Sequence, residues 1–338
     1  MTIRQIAEKF GVAPSTVSVV LNNRPGVRKE MREKIAESLI ANGYTIKNNQ
    51  PEKKGTILFI YYQSTNYLAA RKDNTISSIL SGIEEICSKS SYKYFVANAT
   101  DKSLEHIIRN ASSEYCGIIL LGTEYYTEPL DFIIHSPVPI VVLDGYFPEY
   151  PLNTVNMDNS FGIHQALSYL AENGHKQIGY LKSKIEFGCL RDRTSCILSS
   201  LKLLGYGDPF CIISVSQEPS KIEMEIKSYL DSGRPVPTAF IADNDIIAVS
   251  AMQTFQAAGY KIPEDISIIG FDNSEICTII TPHLTTIKAS VHEMARQAAI
   301  RLIELVEEKP KNFIRYKVGT HLIKRETVTR ASDEIASE

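Results

Sequence analysis

From Thr56 onward the chain alternates short runs rich in β-branched and aromatic residues with longer segments of helical periodicity, and it does so twice. The runs TILFIYY, YKYFVANA, GIILLG and PIVVLD are interleaved with helical patterns at 76–89 and 104–111 and with a further helix before the last run. After Asn156 the alternation restarts with a helix at 162–173, then QIGYL, a helix at 193–204, FCIISV, a helix at 222–232, TAFIAD, a helix at 246–258 and ISIIGFD. Strands that alternate with helices pair in parallel, because each crossover helix returns the chain to the same end of the sheet. Two consecutive α/β lobes are therefore expected. A helix at 291–307 and strands near FIRYKV and HLIKRETV come last and leave room for the chain to cross back between lobes. Ligands of such sheets gather at the carboxyl ends of the strands, so the cleft between the lobes is the expected site.

The segment ahead of this pattern is different in kind. Ile3, Ile6, Ala7 and Phe10 have helical spacing behind Thr2 as an N-cap, and Gly11 ends that helix. A second helix over Thr16–Leu21 would bury Val17, Val20 and Leu21, and Asn22–Gly26 breaks it. A third runs from Lys29 to Ala41 with Met31, Ile35, Leu39 and Ile40 on one face, closed by Asn42-Gly43. Three short helices in about forty residues make a helix-turn-helix. The net charge of −3 hides an asymmetry: residues 1–54 hold ten Lys/Arg and five Asp/Glu, leaving 26 against 34 for the rest. A basic head thus precedes an acidic body. Small polar side chains early in the second helix can bond phosphates and base edges in a major groove, with Arg24, Arg28, Lys29 and Arg32 neutralising phosphates nearby. A basic three-helix bundle with no nucleic-acid partner is the plainer alternative.

Other classes lack their signatures. Six cysteines without a C-x-x-C fit a reducing cytoplasm, the N-terminus has no signal-peptide core, and no apolar run reaches 18 residues, so neither secretion nor a membrane partner is expected. There is no G-x-G-x-x-G, no phosphate-binding G-x-x-x-x-G-K-[ST], no G-x-S-x-G and no paired-histidine metal motif. Neither an enzyme nor a cofactor is expected. Cys189 and Cys196 invite consideration as a redox pair, with inert thiols the simpler reading.

The run TIRQIAEKFGVAPSTVSVVLNNRPGVRKEMREKIAESLIANGY, with its V-A-P-S-T-V-S-x-V-L-N core and closing N-G-Y, resembles the N-terminal module of the LacI/GalR family of bacterial transcription regulators. Matching runs continue through the chain in family order: GIEE at 82–85, NGHKQIGYL at 173–181, DR at 192–193, ADNDIIAVSAM at 242–252, IPEDISIIGFDN at 262–273 and TPHLTTI at 281–287. The resemblance implies a helix-turn-helix head at 1–46, a hinge at 47–55, and a type I periplasmic-binding-protein-like body at 56–331 with a tail at 332–338. The two lobes would comprise 56–157 plus 289–318, and 160–286 plus 320–331.

It also implies roles. Pro14, Ser15 and Val19 would face bases, while Thr2, Thr16, Ser18 and Asn22 would hold the sugar-phosphate backbone. Arg193, Asn244 and Asp272 match the family's effector anchors, a set suited to clasping vicinal hydroxyls of a sugar-like ligand. From the first lobe, strand ends offer Tyr62, Gln63 and Asp144, the crossover offers Asp158, and Tyr67 and Phe161 could stack; capping and turn closure are equally good readings of these residues.

Three departures stand out. Many members have Arg where this chain has Val19, so an apolar contact to a thymine methyl replaces the guanine contact. Pro51 and the absence of leucine between 45 and 54 argue against a hinge helix that wedges a leucine into DNA. Cys196 stands where a glycine is usual. The expected protein is a cytoplasmic homodimeric regulator, most readily a repressor of a carbohydrate-utilisation operon, that binds a palindromic operator and answers a sugar or sugar phosphate. A nucleoside or purine effector is the alternative, followed by a soluble sugar-binding protein without DNA function and a sugar-modifying enzyme.

Overall fold

The computed structural model describes residues 1–46, 54–64, 75–125 and 130–331. The hinge expectation with Pro51, the stacking role of Tyr67 and the tail lie outside these. Two compact units divide at Gly55 and Thr56.

The first unit is a three-helix head of α1 (Ile3–Lys9), α2 (Pro14–Leu21) and α3 (Lys29–Ala41). Thr2 and Gln5 form a reciprocal capping box at the start of α1, which ties down two of the amide donors that a helix N-terminus leaves without partners. Gly11 follows with φ +64°, a conformation that excludes most side chains, and so allows the abrupt turn into α2. The second helix begins two residues earlier than the sequence pattern suggests, because Pro14 occupies its first turn, where a missing N–H costs nothing. Ile6, Ala7, Val17, Val20, Ile35 and Leu39 make the core, and Leu21, Val27 and Met31 pack around it.

The second unit carries two six-stranded sheets. Its elements are β1 (Gly55–Tyr62), α4 (Thr75–Lys89), β2 (Tyr92–Ala99), α5 (Leu104–Arg109), β3 (Gly117–Leu121), α6 (Asp131–Ile134), β4 (Ile140–Leu143) and β5 (Asn153–Met157). They continue with α7 (Asn159–Glu172), β6 (Ile178–Ser183), α8 (Gly188–Leu203), β7 (Ile212–Val215), α9 (Pro219–Asp231), β8 (Ala239–Ala242), α10 (Asp245–Ala257), β9 (Ser267–Asp272) and β10 (Thr285–Lys288). The last three are α11 (Val291–Glu307), β11 (Arg315–Val318) and β12 (His321–Ile323). One sheet has the order β11-β5-β4-β3-β1-β2 and the other β12-β10-β9-β8-β6-β7. Removing the first-named strand of each leaves the same order twice, so β1 to β5 correspond to β6 to β10. The last two strands break the repeat: β11 joins β5 in parallel, whereas β12 joins β10 antiparallel.

The chain therefore passes between sheets three times, after Met157, after Lys288 and after Val318. Apolar packing binds the two sheets into one unit, since a single cluster runs from Phe59, Ile119 and Val141 to Tyr180, Ile241 and Phe271. Strands β3, β4 and β8 are buried along their whole length, as parallel strands covered on both faces must be. Two strands went unread in the sequence. Asn153, Thr154 and Asn156 interrupt the apolar pattern of β5, and the paired threonines Thr285 and Thr286 disguise β10 as a loop. Helices α7 and α8 also start earlier than their apolar periodicity shows.

Candidate functional site

In the head, α2 turns Val17 and Val20 inward and leaves Pro14 and Ser15 exposed, with Thr16, Ser18, Val19 and Asn22 half-buried. The Asn22 amide donates back to the Ser18 carbonyl at 2.9 Å and to its hydroxyl at 3.3 Å. Arg32 is drawn to the turn after α2, donating to the Asn23 side chain at 3.0 Å and to the Arg24 carbonyl. The Arg24 and Arg28 side chains remain exposed, and Thr2 is engaged as the cap of α1. The head therefore presents a short hydroxyl-bearing helix flanked by cations, which is the composition that phosphate and groove contacts require.

In the body, a cavity of 850 Å³ is lined from the first sheet's side by Ser78, Ile79, Leu121, Thr123, Leu143, Asp144 and Met157, and from the second by Asp245, Asp272, Ser274 and Glu275. Lys288, His292 and Glu293 close it where the chain crosses back. Asp144 and Asp272 occupy matching places, since Asp144 follows β4 and Asp272 ends its counterpart β9. Both have positive φ, at 56° and 107°, a backbone that side chains other than glycine rarely adopt. Such conformations persist where the surrounding structure imposes them, commonly at ligand sites. The Asp144 carboxylate accepts from the Thr123 hydroxyl at 2.7 Å.

Arg193 stands behind this cavity rather than in it. The side chain is 3% exposed, its guanidinium lies 3.5 Å from the centroid of the Phe271 ring, and it donates to the Asp243 carbonyl and to Asn159 Oδ1 at 3.4 Å. Its remaining nitrogen sits 4.0 Å from the half-exposed Asp272 carboxylate. Asn244 caps α10 by accepting from the Ile247 N–H at 2.9 Å and donates to Gln217 at 2.9 Å. Of the three anchors expected in the second lobe, one lines the cavity, one braces it and one caps the helix beside it.

The first-lobe candidates divide in the same way. Tyr62 is buried, donates its hydroxyl to Asp101 and meets the Tyr125 ring edge-on at 5.2 Å, so it belongs to the lobe's core. Gln63 donates to the Tyr61 hydroxyl at 3.1 Å. Asp158 caps α7 by accepting from the Phe161 N–H at 3.2 Å, and its carbonyl accepts from the Thr320 hydroxyl at 2.8 Å. Phe161 is 48% exposed on the first turn of α7. Neither residue is among those lining the cavity.

Asp245 was not foreseen, because an acidic residue in the first turn of a helix reads as a partner of the helix dipole. Here it is buried and receives the Ser274 N–H at 2.7 Å, the Ser274 hydroxyl at 2.9 Å and the Thr286 hydroxyl at 2.5 Å. Burial raises its pKa above the usual carboxylate range, against the pull of these donors. It also helps push the Cys277 thiol up to about 12, second to that thiol's own burial. Asp243 is likewise raised by burial, opposed by the positive charge of Arg193. Cys189 and Cys196 both lie on α8, and seven residues of helix separate them by ~10.5 Å, too far for a disulfide. The redox pairing is thereby corrected. No cluster of three metal-ligating side chains occurs among the described residues.

Residues 2–45 match the bacterial regulatory proteins of the lacI family, and residues 167–328 match a periplasmic binding protein-like domain. The HTH-type transcriptional repressor PurR of Mannheimia succiniciproducens is 28% identical over 342 residues, covering 97% of this chain and 99% of that one. The HTH-type transcriptional repressor CytR of Escherichia coli is 28% identical over 319 residues, covering 90% of each. Among solved structures, a Lac repressor dimer bound to operator and an anti-inducer has a TM-score of 0.70 at 21% identity, and a CelR–cellobiose complex 0.70 at 22%, each covering 97% of this chain and 99% of that one. Each of these matches spans 90% or more of this chain. The chain thus joins a helix-turn-helix domain of the lacI family of bacterial regulatory proteins to a periplasmic binding protein-like domain, an arrangement it shares over nearly its whole length with relatives named as transcriptional repressors rather than with an enzyme.

Proposed function

We propose that this protein is a ligand-responsive transcriptional repressor that binds a palindromic operator as a homodimer through its head and releases or grips it when a sugar-like effector enters the cavity of the body. The observation that carries this reading is that Asp144 and Asp272 line the same cavity, each at the carboxyl end of an equivalent strand and each in a constrained backbone conformation. Two carboxylates lining one cavity offer acceptors to the hydroxyls of a polyol, and Arg193, 4.0 Å from Asp272, holds the second in place. A regulator from Enterococcus faecium solved with ribose and the cellobiose-bound relative give the sugar class further support. Full-length similarity to two proteins named as repressors supports repression. Dimerisation follows from the head's size, since a single module of three short helices makes too few contacts for specific affinity, whereas a two-fold assembly reads two half-sites.

Effector control requires only that the ligand favour one of two body conformations that differ in operator affinity. A nucleobase or nucleoside is the second reading, because Ile79, Leu121, Leu143 and Met157 form an apolar wall suited to a flat ring. A thermal-shift screen of sugars, sugar phosphates and nucleosides separates the two classes. Asp144→Asn and Asp272→Asn should each weaken the response to the active compound by tenfold or more while operator binding in a gel shift is retained. An unchanged response in both variants would remove the cavity from the mechanism. Operator binding should fall steeply between 50 and 200 mM salt, by at least about 10³, and sequence-blind binding would refute the operator assignment.

A further inference from the structure

Glycine loses more conformational freedom on folding than any other residue, and a positive φ is the usual reason to keep one. Gly188 opens α8 without a positive φ, so backbone conformation does not call for it. Space does. A Cβ at this position would lie 3.0 Å from the Tyr146 Cβ, 3.2 Å from the Tyr146 carbonyl oxygen and 3.3 Å from the Tyr146 amide nitrogen. Two of these atoms are backbone, which cannot swing aside as the end of a side chain would. Tyr146 follows β4 of the first sheet and α8 follows β6 of the second, so this is a point where the lobes touch. A second contact falls one turn further along α8. Burial raises the pKa of the Tyr146 phenol, and the negative charge of Asp192 raises it further.

The turn that touches α8 is the one that carries Asp144, and its own lobe holds it firmly. The Asp144 N–H donates to the Val155 carbonyl at 2.9 Å, the Thr123 hydroxyl donates to the Asp144 carboxylate at 2.7 Å, and the Asn156 amide donates to the Gly145 carbonyl at 3.0 Å. Gly145 has no slack either, since a Cβ there would lie 2.6 Å from Val142 Cγ1 and 2.9 Å from the Phe147 ring. On the other side, α8 carries Arg193, which stands 4.0 Å from Asp272. A displacement at position 188 is therefore passed to Asp144 through a three-residue turn and to Asp272 through α8. We propose that Gly188 sets the gap between Asp144 and Asp272, and with it the size of effector the cavity accepts, by letting the turn at 144–146 seat directly on the first turn of α8. This rests on the effector reading above and adds the residue that fixes ligand size. Gly188 is not among the residues lining the cavity and acts only through the turn, so it is a positioning residue.

The test uses the full-length chain, and its probe is whichever sugar, sugar phosphate or nucleoside the wild type answers in the thermal-shift screen. Gly188→Ala should raise the Kd of that compound about tenfold, within the range that overpacking by one methyl group costs. The same compound bearing an added methyl ether should lose less affinity than its parent, a shift in size preference that a merely destabilised fold would not produce. A crosslink reads the same contact without relying on that variant. Tyr146→Cys and Gly188→Cys are combined in a chain that also carries Cys189→Ser, because the 3.0 Å between the two Cβ positions is within about 1 Å of the separation a disulfide spans. Oxidised by glutathione disulfide, this chain should bind operator equally well with and without the compound, and reduction should restore a response. The two forms share one sequence, so a folding defect cannot account for a difference between them. An unchanged Kd in Gly188→Ala, an equal loss for the parent and methylated compounds, thiols that do not join, or an oxidised chain that still responds in full would each overturn this proposal alone. A wild-type chain that answers no compound of the screen would overturn the effector reading and this proposal together.

Discussion

A single buried histidine shows how little freedom the body leaves its polar groups. His175 is 2% exposed, with Nδ1 2.9 Å from the Thr238 hydroxyl and Nε2 3.0 Å from the Thr329 carbonyl, so it links the end of α7 to the start of β8 and to the C-terminal segment. Burial lowers its pKa below the usual 6.5, more than the carbonyl contact raises it. The folded state therefore resists protonation, while the unfolded chain takes up a proton near pH 6.5. The contribution of His175 to stability should be level above about pH 7 and should fall as the pH drops below 6.5. His175→Gln, which keeps a donor and an acceptor without the titration, should flatten the melting temperature between pH 7 and 5.5, and an equal acid slope in wild type and variant would exclude His175 as its source. Arg193 is comparably constrained, since its contacts to Asn159, Asp243 and Phe271 come from three separate stretches of chain. Replacing it perturbs the fold as well as the cavity, and for that reason Asp144 and Asp272 are the cleaner probes of ligand contact.

Among the elements, the pair α4 and α11 shapes the crossing side of the cavity. Gly82 permits their close approach: a Cβ there would lie 2.5 Å from the His292 carbonyl oxygen and 2.9 Å from the Ala295 Cβ, and backbone cannot yield as a flexible side chain would. Beside this contact Arg296 reaches Glu85 at 3.2 Å and Glu293 at 2.5 Å. Gly82→Ala would gain roughly 0.5–1 kcal/mol of helix propensity and lose about 1–3 kcal/mol to overpacking, so the clash decides the sign. Urea unfolding should show a lower midpoint for the body. Because His292, Glu293 and Met294 begin α11 and line the cavity, the same variant should also weaken the effector-induced thermal shift. A midpoint at or above that of wild type would show that α11 moves aside freely.

At the scale of the whole chain, the head and the body have separate hydrophobic cores, the head's made of six buried residues and the body's far larger. Small domains bury a smaller fraction of their surface and are correspondingly marginal. Calorimetry should resolve two unfolding transitions, the lower one from the head. Operator DNA should raise the lower transition and effector the upper one, by about 2.7 kcal/mol at a hundredfold excess over Kd. A single transition shifted equally by both ligands would contradict this division.

Much of this was legible in the residues. Alternating strand and helix patterns announced two α/β lobes, because the apolar periodicities of 2 and 3.6 are properties of the local chain. Asp144 stood out by lying at the end of an apolar run, where parallel sheets place their ligands, and Asp272 through the resemblance to the family's effector anchors. Tyr62 and Gln63 also lie at a strand end, yet neither lines the cavity. Which strand-end side chains face the lumen depends on how the next loop turns, and that depends on distant partners such as Asp101, 39 residues away. Asp245 and Thr286 were hidden for the same reason, since their bond joins positions 41 apart and turns a helix-capping acid and a loop-like threonine into one buried wall. Periodicity and turn chemistry act over a few residues, so the order of elements could be read along the chain. The cavity was decided by long-range packing, which brings together groups whose chemistry has no trace in their immediate neighbours.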